Sequence, residues 1–430
     1  MQKKIAFLAA MLMMVLSSAM AQVTTSGING KVTLEATGED VIGATVQAVH
    51  VPSGTKYAAV TNAKGIYSIQ GMRSGGPYTV TVSYIGAQTK EFENISLSLG
   101  ESYNLKVWLA DDTKTLGEVV VSGQAGVNGT RNGAAQTISN RMIQELPSIN
   151  HSVADIARVN PFVKVTEGGA INIAGSNNRY NAIQIDGAMS NDVFGLTSNG
   201  ANGGQAGTQP FSMETIDQLH VSIAPFDVRQ SGFTGGAINA ITKSGTNEFH
   251  GSVYSYFQNG DMVSNKYEKH DGKESADYGD MTDWTLGATL GGPIVKDKLF
   301  FFANFERSKK EYDNAFSTNN GMSKIDFDVA NQILDKVRTD AAAQGVTYRG
   351  TLGTPKEYTY SDKVGLKLDW NINDRNHASL RWSFVDAKQN NKTASAKNLV
   401  TNDYAFDFCS KTSALVFELN SRIGDNMSNE

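Results

Sequence analysis

The residue types that most often catalyse reactions or bind metals are few in this sequence and far apart along it. None of the histidines stands in the His-Glu-x-x-His spacing that puts two zinc ligands on one helical face. No Gly-x-Ser-x-Gly nucleophile turn and no phosphate-binding Gly-x-x-x-x-Gly-Lys segment occurs. The single cysteine, Cys409, has no second thiol in the chain. We therefore predict no catalytic residue, no metal ligand and no cofactor, and we do not expect an enzyme. The six histidines are His50, His151, His220, His250, His270 and His377.

A short β-branched run in a polar linker has the residue types needed to pair with another protein's sheet edge. The linker, residues 111–124, contains Val119-Val120-Val121 between Glu118 and Gly123. β-branched residues favour extended structure, and an exposed strand can join a partner's sheet through backbone hydrogen bonds. An ordinary strand of the chain's own fold is the alternative. The run resembles the TonB-box region of Bacteroidetes receptors, which implies a TonB contact at Leu116, Glu118, Val119, Val120 and Val121.

The most specific motif is a glycine-rich segment, Phe233 to Gly245, which reads FTGGAINAITKSG. A glycine-rich hairpin of an unrelated β protein is the alternative interpretation. The segment resembles the GGxINxxTKSG ending of the plug domain of TonB-dependent outer-membrane receptors. That resemblance implies an α+β plug domain over residues 125–246, and the capped helix signals at Asn140–Glu145 and Ser152–Ala157 agree with it. The motif residues are Gly235, Gly236, Asn239, Thr242 and Lys243.

Residues 26–110 read as short strands separated by glycine turns, which predicts a seven-strand β-sandwich. Four of its sequence patterns resemble the carboxypeptidase regulatory-like domain, whose fold is a transthyretin-like, carbohydrate-binding-like sandwich. Despite that family's name, we predict no peptidase activity, because the sequence lacks a converging set of zinc ligands. The patterns are Gly30-x-Val32, Ile42-Gly43-Ala44-x-Val46, Thr61-x-x-x-Gly65-x-Tyr67 and Val82-x-Tyr84-x-Gly86.

The strands predicted in residues 247–430 alternate apolar and polar side chains. In Lys363 to Asn371 the apolar residues Leu366, Leu368 and Trp370 share one face, and the lysines and Asp369 share the other. A transmembrane barrel needs an apolar face toward lipid and a polar face toward a wet interior. A soluble sandwich also alternates, with its apolar face inside.

The lengths of the connections favour the barrel. Residues 293–298 and 374–376 read as short turns, whereas residues 259–283, 309–362 and 388–410 are long. Short periplasmic turns that alternate with long external loops are typical of outer-membrane barrels. The aromatic turn that begins at Gly291 resembles the Oar-like branch of the receptor family, which implies a barrel of twenty-two strands. Six strands cannot close in lipid, so the sequence predicts an incomplete antiparallel barrel.

The N-terminus reads as an export signal. Lys3 and Lys4 precede an apolar run, and Ala19-Met20-Ala21 is the small-x-small pattern that signal peptidase cleaves. We predict a signal peptide at residues 1–21, cleaved between Ala21 and Gln22; a retained anchor is the alternative. Loss of the two lysines changes the formal charge from −5 to −7, which does not favour nucleic-acid binding.

These patterns predict a mainly β protein of the cell outer membrane, with its sandwich in the periplasm. The resemblance implies an outer-membrane TonB-dependent receptor for energised uptake of a large ligand, namely an oligosaccharide, a peptide or a siderophore. Its implied partners are the TonB–ExbB–ExbD complex, outer-membrane lipid and an extracellular ligand of unknown identity, with no nucleic acid. The alternatives are a surface binding or adhesion module with a carbohydrate-binding-like sandwich and a non-functional truncated fragment.

Overall fold

The described residues form three units that follow one another along the chain. We name them the sandwich (residues 24–111), the central unit (133–246) and the meander (247–429). No helix among the described residues is long and apolar enough to cross a bilayer. The predicted cleavage site, Ala21 and Gln22, and the predicted TonB contacts Leu116 and Glu118 lie outside these residues. The structure, a computed structural model, describes residues 24–111, 119–122, 133–146, 148, 151–166, 169–192, 194–197, 199–225, 232–263, 266–268, 275–277, 280–314, 316, 323–353, 356–391, 394–395, 397–423 and 427–429.

The sandwich consists of two sheets that enclose one apolar core. One sheet has the order β4-β1-β7 with β8 also paired to β1, and the other contains β3-β2-β5-β6. Tyr67, Tyr78 and Leu109 are among its fully buried side chains, as expected for alternating strands whose inner faces meet. The strands are β1 Thr25–Leu34, β2 Thr45–His50, β3 Thr55–Val60, β4 Ile66–Arg73, β5 Gly75–Ser83, β6 Lys90–Leu97, β7 Ser102–Asn104 and β8 Val107–Leu109.

The described sandwich has eight strands of its own, so the prediction of seven was wrong. Two short strands, β7 and β8, run parallel to successive parts of β1. Between them the amide of Leu105 donates to the carbonyl of Asn29 at 2.7 Å, and its carbonyl accepts from the hydroxyl of Tyr67 at 2.7 Å. Gly30 permits this approach, because a Cβ there would overlap the Leu105 carbonyl.

A ninth strand joins the sandwich from the linker. Residues Val119–Ser122 form β9, which pairs in parallel with β6. The second sheet therefore has five strands in the order β3-β2-β5-β6-β9, with β9 at its edge. The run predicted to contact a partner is thus paired within this chain.

The central unit is the α+β segment that the sequence predicts. Its five-stranded sheet has the order β10-β15-β16-β13-β14, and β11 and β12 form a separate hairpin. Ser152 caps the second helix by accepting from the amide of Asp155 at 3.1 Å. The elements are β10 Gly133–Ser139, α1 Asn140–Glu145, α2 Val153–Ala157, β11 Val163–Val165, β12 Ile171–Ile173, β13 Ala182–Ile185, β14 Ala188–Met189, β15 Ile216–Pro225 and β16 Ala237–Thr242.

The meander is one antiparallel sheet in which each strand pairs with the next strand of that sheet along the chain. Its order is β17-β20-β21-β22-β23-β24-β25, while β18 and β19 form their own hairpin. Six of the seven described strands have ten or more residues, and β25 has three. The elements are β17 His250–Asn259, β18 Lys266–Glu268, β19 Ser275–Asp277, β20 Met281–Val295, β21 Leu299–Tyr312, α3 Phe327–Ala343, β22 Glu357–Asn373, β23 Asn376–Asn391, β24 Phe406–Ile423 and β25 Met427–Asn429.

Burial on the meander is the reverse of that in a soluble protein. On β22 the side chains of Leu366 and Trp370 are 49% and 52% exposed, whereas Lys367 is 8% exposed. Charged residues are almost never buried in soluble proteins unless they are paired, and apolar side chains normally fill the core. The predicted alternation is confirmed, with its apolar face exposed and its polar face covered by the central unit. Neighbouring strands extend the exposed apolar face with Leu380, Trp382, Leu415, Phe417 and Leu419.

The connections of the meander alternate in length as predicted. Residues 374–375 join β22 to β23 and residues 296–298 join β20 to β21, whereas residues 313–356 connect β21 to β22 and carry α3. The sandwich lies at the end with the short turns, where Asn371 donates to the Thr55 hydroxyl at 2.9 Å. The long connections therefore emerge at the opposite end.

Candidate functional site between the central unit and the meander

Two clusters of buried charged and polar side chains connect the central unit to the polar face of the meander. We call them the Asp186 cluster and the Glu306 cluster, after the carboxylate at the centre of each. Each carboxylate is contacted by side chains of both units, so each cluster forms a direct link between them. The Asp186 cluster consists of Asp186, Thr242, Lys367 and Arg381, and the Glu306 cluster consists of Glu306, Ser212, Tyr254 and Lys363.

The carboxylate of Asp186 is held by the last residue of a neighbouring strand. Asp186 follows β13 directly with a φ of +46°, the first residue of the predicted Asp-Gly turn. Thr242 ends β16, and its amide and hydroxyl donate to the two carboxylate oxygens at 2.8 and 2.6 Å. Because β13 and β16 pair in parallel, their carboxyl ends meet at one edge of the sheet. At this edge the carboxylate of Asp186 faces the meander.

Two cations of the meander approach the same carboxylate. Lys367 Nζ lies 3.6 Å from Oδ1 of Asp186, and Arg381 Nε lies 2.8 Å from Oδ2. The Arg381 contact is an ion pair without hydrogen-bond alignment, and its Nη2 donates to the carbonyl of Ile185 at 3.0 Å. Lys367 and Arg381 are directly opposite each other on β22 and β23. Like charges in that position repel, so Asp186 neutralises a pair that destabilises the bare sheet.

The electrostatics favour the ionised form of Asp186. Burial by itself raises the pKa of this carboxyl, because the charged form loses water. Lys367, Arg381 and the two hydrogen bonds from Thr242 oppose burial and outweigh it, so the pKa lies below its ordinary value of 3.8. Asp186 is therefore a charged link at neutral pH.

The Glu306 cluster makes a second link between the central unit and the meander. Here the meander supplies the carboxylate. Glu306 lies on β21 and pairs with Lys363 on β22, whose Nζ lies 2.7 Å from Oε1. Its Oε2 accepts from the hydroxyl of Tyr254 at 2.9 Å and from the hydroxyl of Ser212. Ser212 belongs to the central unit, which thus contributes an uncharged donor here and the carboxylate in the Asp186 cluster.

The structure brings one of the five predicted motif residues into these clusters. Thr242 binds Asp186, while Gly235 and Gly236 position the start of β16 and Asn239 is buried within it. Lys243 lies beside the Asp186 cluster, where burial lowers its pKa against the opposing charges of Glu214 and Asp217. The other predicted run, Val119 to Val121, is on β9 of the sandwich.

Sequence reasoning did not identify Asp186, Lys367 and Arg381 as partners. Each one had a local signal: Asp186 stood in an Asp-Gly turn, and the two cations stood on the polar face of alternating strands. Their approach depends on contacts between residues 181 and 195 positions apart. Two cations on the polar faces of successive strands were the signal in the sequence. Once buried, such a pair needs a carboxylate that faces it.

Gly236 is required where the hairpin of β11 and β12 packs on β16. A Cβ at Gly236 would lie 2.6 Å from two carbons of Ile173 and 2.8 Å from the carbonyl of Ser222. We expect Gly236→Ala to lower the free energy of unfolding by about 1–3 kcal/mol, because backbone and core must shift. Urea denaturation of the whole chain measures this. In the control Gly350→Ala, the atoms nearest the new methyl are the movable ends of the Tyr348 and Asp403 side chains, so a similar loss in both variants would contradict the packing argument.

A cavity of about 420 Å³ lies between the central unit and the meander, near the Glu306 cluster. Its walls carry both signs of charge, from Glu214, Asp283 and Lys310. The ring of His151 stacks on that of Tyr256, with 3.8 Å between the ring centroids. A wall of this kind can bind polar groups and water. The central unit and the meander thus contact each other through hydratable groups as well as through apolar packing.

Two family models match parts of this chain. The model described as a carboxypeptidase regulatory-like domain matches residues 27–110, which lie in the sandwich. The model described as an outer membrane beta barrel domain matches residues 241–350, from the end of β16 to the connection after α3. The two matches agree with the predicted order of sandwich and barrel.

Two curated relatives and a solved structure match part of the chain. "TonB-dependent transporter Oar" of Myxococcus xanthus is 28% identical over 275 residues, which are 60% of this chain and 24% of that protein. "Probable TonB-dependent siderophore receptor PirA" of Acinetobacter baumannii is 26% identical over 190 residues, or 40% of this chain and 23% of that protein. The solved outer membrane transporter YddB from Escherichia coli has a TM-score of 0.49 at 16% identity, covering 68% of this chain and 37% of that one.

The chain spans about a quarter of the length of the curated relatives it matches. It is a mainly β protein of the outer membrane, in which residues 27–110 are similar to a carboxypeptidase regulatory-like domain and residues 241–350 to an outer membrane beta barrel domain. One relative is named as a transporter and the other as a receptor, which agrees with the prediction that the chain is not an enzyme.

Proposed function

We propose that this chain is the N-terminal part of a TonB-dependent receptor that imports a large ligand across the outer membrane. The observation that carries the proposal is the reversed burial of the meander, which exposes apolar side chains and covers charged ones with the central unit. A barrel wall in lipid with a plug inside it requires this arrangement. The central unit takes the part of the plug, residues 125–246 of the sequence prediction.

The two clusters suit a plug that must be held firmly and still be able to move. Ion pairs and hydrogen bonds exchange with water at a modest net cost per bond, whereas an apolar interface of the same size must expose its whole area. The Asp186 and Glu306 clusters lie on the polar face of the meander, where water can replace each broken contact. Force on the plug is resisted by these contacts until they are rehydrated.

The partners proposed for the chain follow from its linker and from its predicted export. TonB, energised by ExbB and ExbD, adds a strand to Val119–Val121, with Leu116 and Glu118 beside it, and pulls on the central unit through the linker. The signal peptide is cleaved between Ala21 and Gln22, which leaves the sandwich in the periplasm and the meander in outer-membrane lipid. The receptor is of the Bacteroidetes type, and its ligand is an oligosaccharide, a peptide or a siderophore.

Deletion of residues 116–123 in the receptor, expressed in its host, is expected to abolish uptake while leaving ligand binding at the cell surface intact. The reason is that the deletion removes the strand that TonB engages and leaves the central unit and the meander unchanged. Uptake and surface binding are measured with a panel of labelled oligosaccharides, peptides and ferric siderophores. Deletion of residues 124–131, of equal length in the same linker, is the control and should retain uptake.

Unchanged uptake after deletion of residues 116–123 would contradict energised transport. Ligand binding without uptake by the unaltered receptor would instead favour the adhesion module, in which the sandwich recognises a glycan and the barrel serves as an anchor. No binding and no uptake by the unaltered receptor would favour the non-functional fragment.

A further inference from the structure

Lys367 and Arg381 form a pair of buried cations on the polar face of the meander. They are directly opposite each other on β22 and β23, and they are 8% and 6% exposed. Side chains in that position lie close enough for one carboxylate to contact both of them. Two buried cations also need such an anion, because each has lost water that it would otherwise bind.

Asp186 supplies the anion without satisfying all the hydrogen-bond donors of the pair. Arg381 Nε lies 2.8 Å from Oδ2 of Asp186 but makes no aligned hydrogen bond to any described residue. Lys367 Nζ lies 3.6 Å from Oδ1, which is too far for a hydrogen bond. Asp186 is held in its turn by Thr242. The carboxylate of a separate molecule is not held in this way, so it can take the bidentate geometry that arginine prefers.

The contacts that offset these two charges come largely from the central unit. Besides the carboxylate of Asp186, Lys367 donates to the carbonyl of Thr242 at 3.2 Å, and Arg381 donates to the carbonyl of Ile185 at 3.0 Å. Movement of the central unit, which the proposed function requires, removes these three partners together. The lysine of the Glu306 cluster keeps its carboxylate, because both residues lie on the meander.

Cavities on both sides give access to the cation pair. A cavity of about 390 Å³ is lined by Asp186 and Lys367, and a smaller one of about 40 Å³ is lined by Lys367 and Arg381. Thr242 lines both, so the Asp186 cluster separates them. Lys363 lines the small cavity and also the cavity near the Glu306 cluster. A molecule that passes between the central unit and the polar face of β22 therefore meets the cation pair.

We propose that Lys367 and Arg381 bind a carboxylate of the transported ligand after Asp186 has withdrawn. Asp186 occupies the place of that carboxylate while the central unit is seated in the meander. The site thereby favours a ligand that carries a carboxylate over one that is neutral at the same position. This inference rests on the proposed function, since it requires a ligand to pass between the two units.

Matched pairs of labelled ligands test this preference in the complete receptor, expressed in its host. The pairs are peptides, oligosaccharides and ferric siderophores, in which one member has a free carboxylate and the other has that group amidated. We expect the acidic member of at least one pair to be taken up about tenfold faster, the effect of one charge-assisted hydrogen bond. Equal uptake of both members in every pair would overturn the inference.

A neutral version of the cation pair assigns the preference to this site. Asp186→Asn/Lys367→Gln/Arg381→Gln removes the three charges together, so no buried ion is left alone, and it should abolish the preference. The control Glu306→Gln/Lys363→Gln neutralises the other cluster and should retain it. A preference that survives in the triple variant, or that both variants lose equally, would contradict a carboxylate site at Lys367 and Arg381.

Acetate tests the site independently of transport. Asp186→Ala in the complete receptor leaves the cation pair without its carboxylate, and a small carboxylate that binds there stabilises the folded state. The urea midpoint of this variant should be higher in sodium acetate than in sodium chloride of equal concentration, at about pH 7, where a carboxyl group is ionised. The same comparison in the unaltered receptor corrects for the general effect of acetate on apolar burial.

The acetate result also separates the inference from the proposed function. An acetate effect in Asp186→Ala that is no larger than in the unaltered receptor would overturn the carboxylate site, whatever the receptor transports. A larger effect combined with no uptake of any ligand by the unaltered receptor would instead overturn the proposed function.

Discussion

Asp186→Ala is expected to lower the free energy of unfolding by about 3–5 kcal/mol. The substitution removes the carboxylate that both Lys367 and Arg381 contact and leaves two buried cations opposite each other on adjacent strands. It also removes both acceptors of Thr242. Equilibrium urea unfolding of the whole chain in detergent measures the loss.

The control for Asp186 is an aspartate with similar pairing and a different environment. Asp362 accepts two hydrogen bonds from Arg307, at 2.6 and 2.9 Å, but 39% of its side chain is exposed. Exposed ion pairs contribute about 0–1 kcal/mol, so Asp362→Ala should have a small effect. Equal losses in the two variants would show that burial between the units does not matter to the Asp186 cluster.

The link through Asp186 also depends on pH. Its folded-state pKa lies below the ordinary value of 3.8, so the unfolded chain binds its proton first as the pH falls. The stability from this group is fully present above about pH 4 and is lost at lower pH, as the carboxyl becomes protonated in the folded chain as well. Unfolding measured between pH 7 and pH 3 should therefore depend less on pH in Asp186→Asn than in the unaltered chain. An unchanged pH dependence would contradict the charged link.

The second large effect is expected on the exposed apolar face of the meander. Leu415, near the middle of β24, is 69% exposed, and Leu415→Lys should lower stability in a phospholipid bilayer by about 2–4 kcal/mol. The reason is that a lipid-facing ammonium loses its water without gaining a partner. Urea unfolding of the complete receptor that contains this chain, refolded into phosphatidylcholine vesicles, measures this loss.

The preceding residue supplies the matched control for Leu415. Ala414 is adjacent on β24 and, by the alternation of the strand, belongs to the opposite face. Ala414→Lys therefore adds the same charge toward the polar interior and should cost less than about 1 kcal/mol, because the new ammonium stays hydrated. Equal effects of the two lysines, or no effect of either, would contradict a lipid-facing role for Leu415 and its neighbours.

The local elements of this protein could be predicted from the sequence because their causes are local. The alternation in Lys363 to Asn371 assigns its two faces, and the helical spacing after Asp326 predicts the helix that the structure has at Phe327–Ala343. Side-chain periodicity and capping depend on residues a few positions apart, so no tertiary information is needed. The lengths of the connections, also visible in the sequence, distinguished a barrel wall from a soluble sandwich.

Contacts between distant residues were decided only by the tertiary structure. The alternation showed that Lys367 and Arg381 share a polar face, but their carboxylate, Asp186, comes from a turn more than 180 residues earlier. The pairing of both β7 and β8 with β1, and the pairing of β9 with β6, likewise depend on which strands meet in space. A strand's sequence specifies its faces, whereas its backbone groups can pair with any suitable edge, so only the folded arrangement selects the partner.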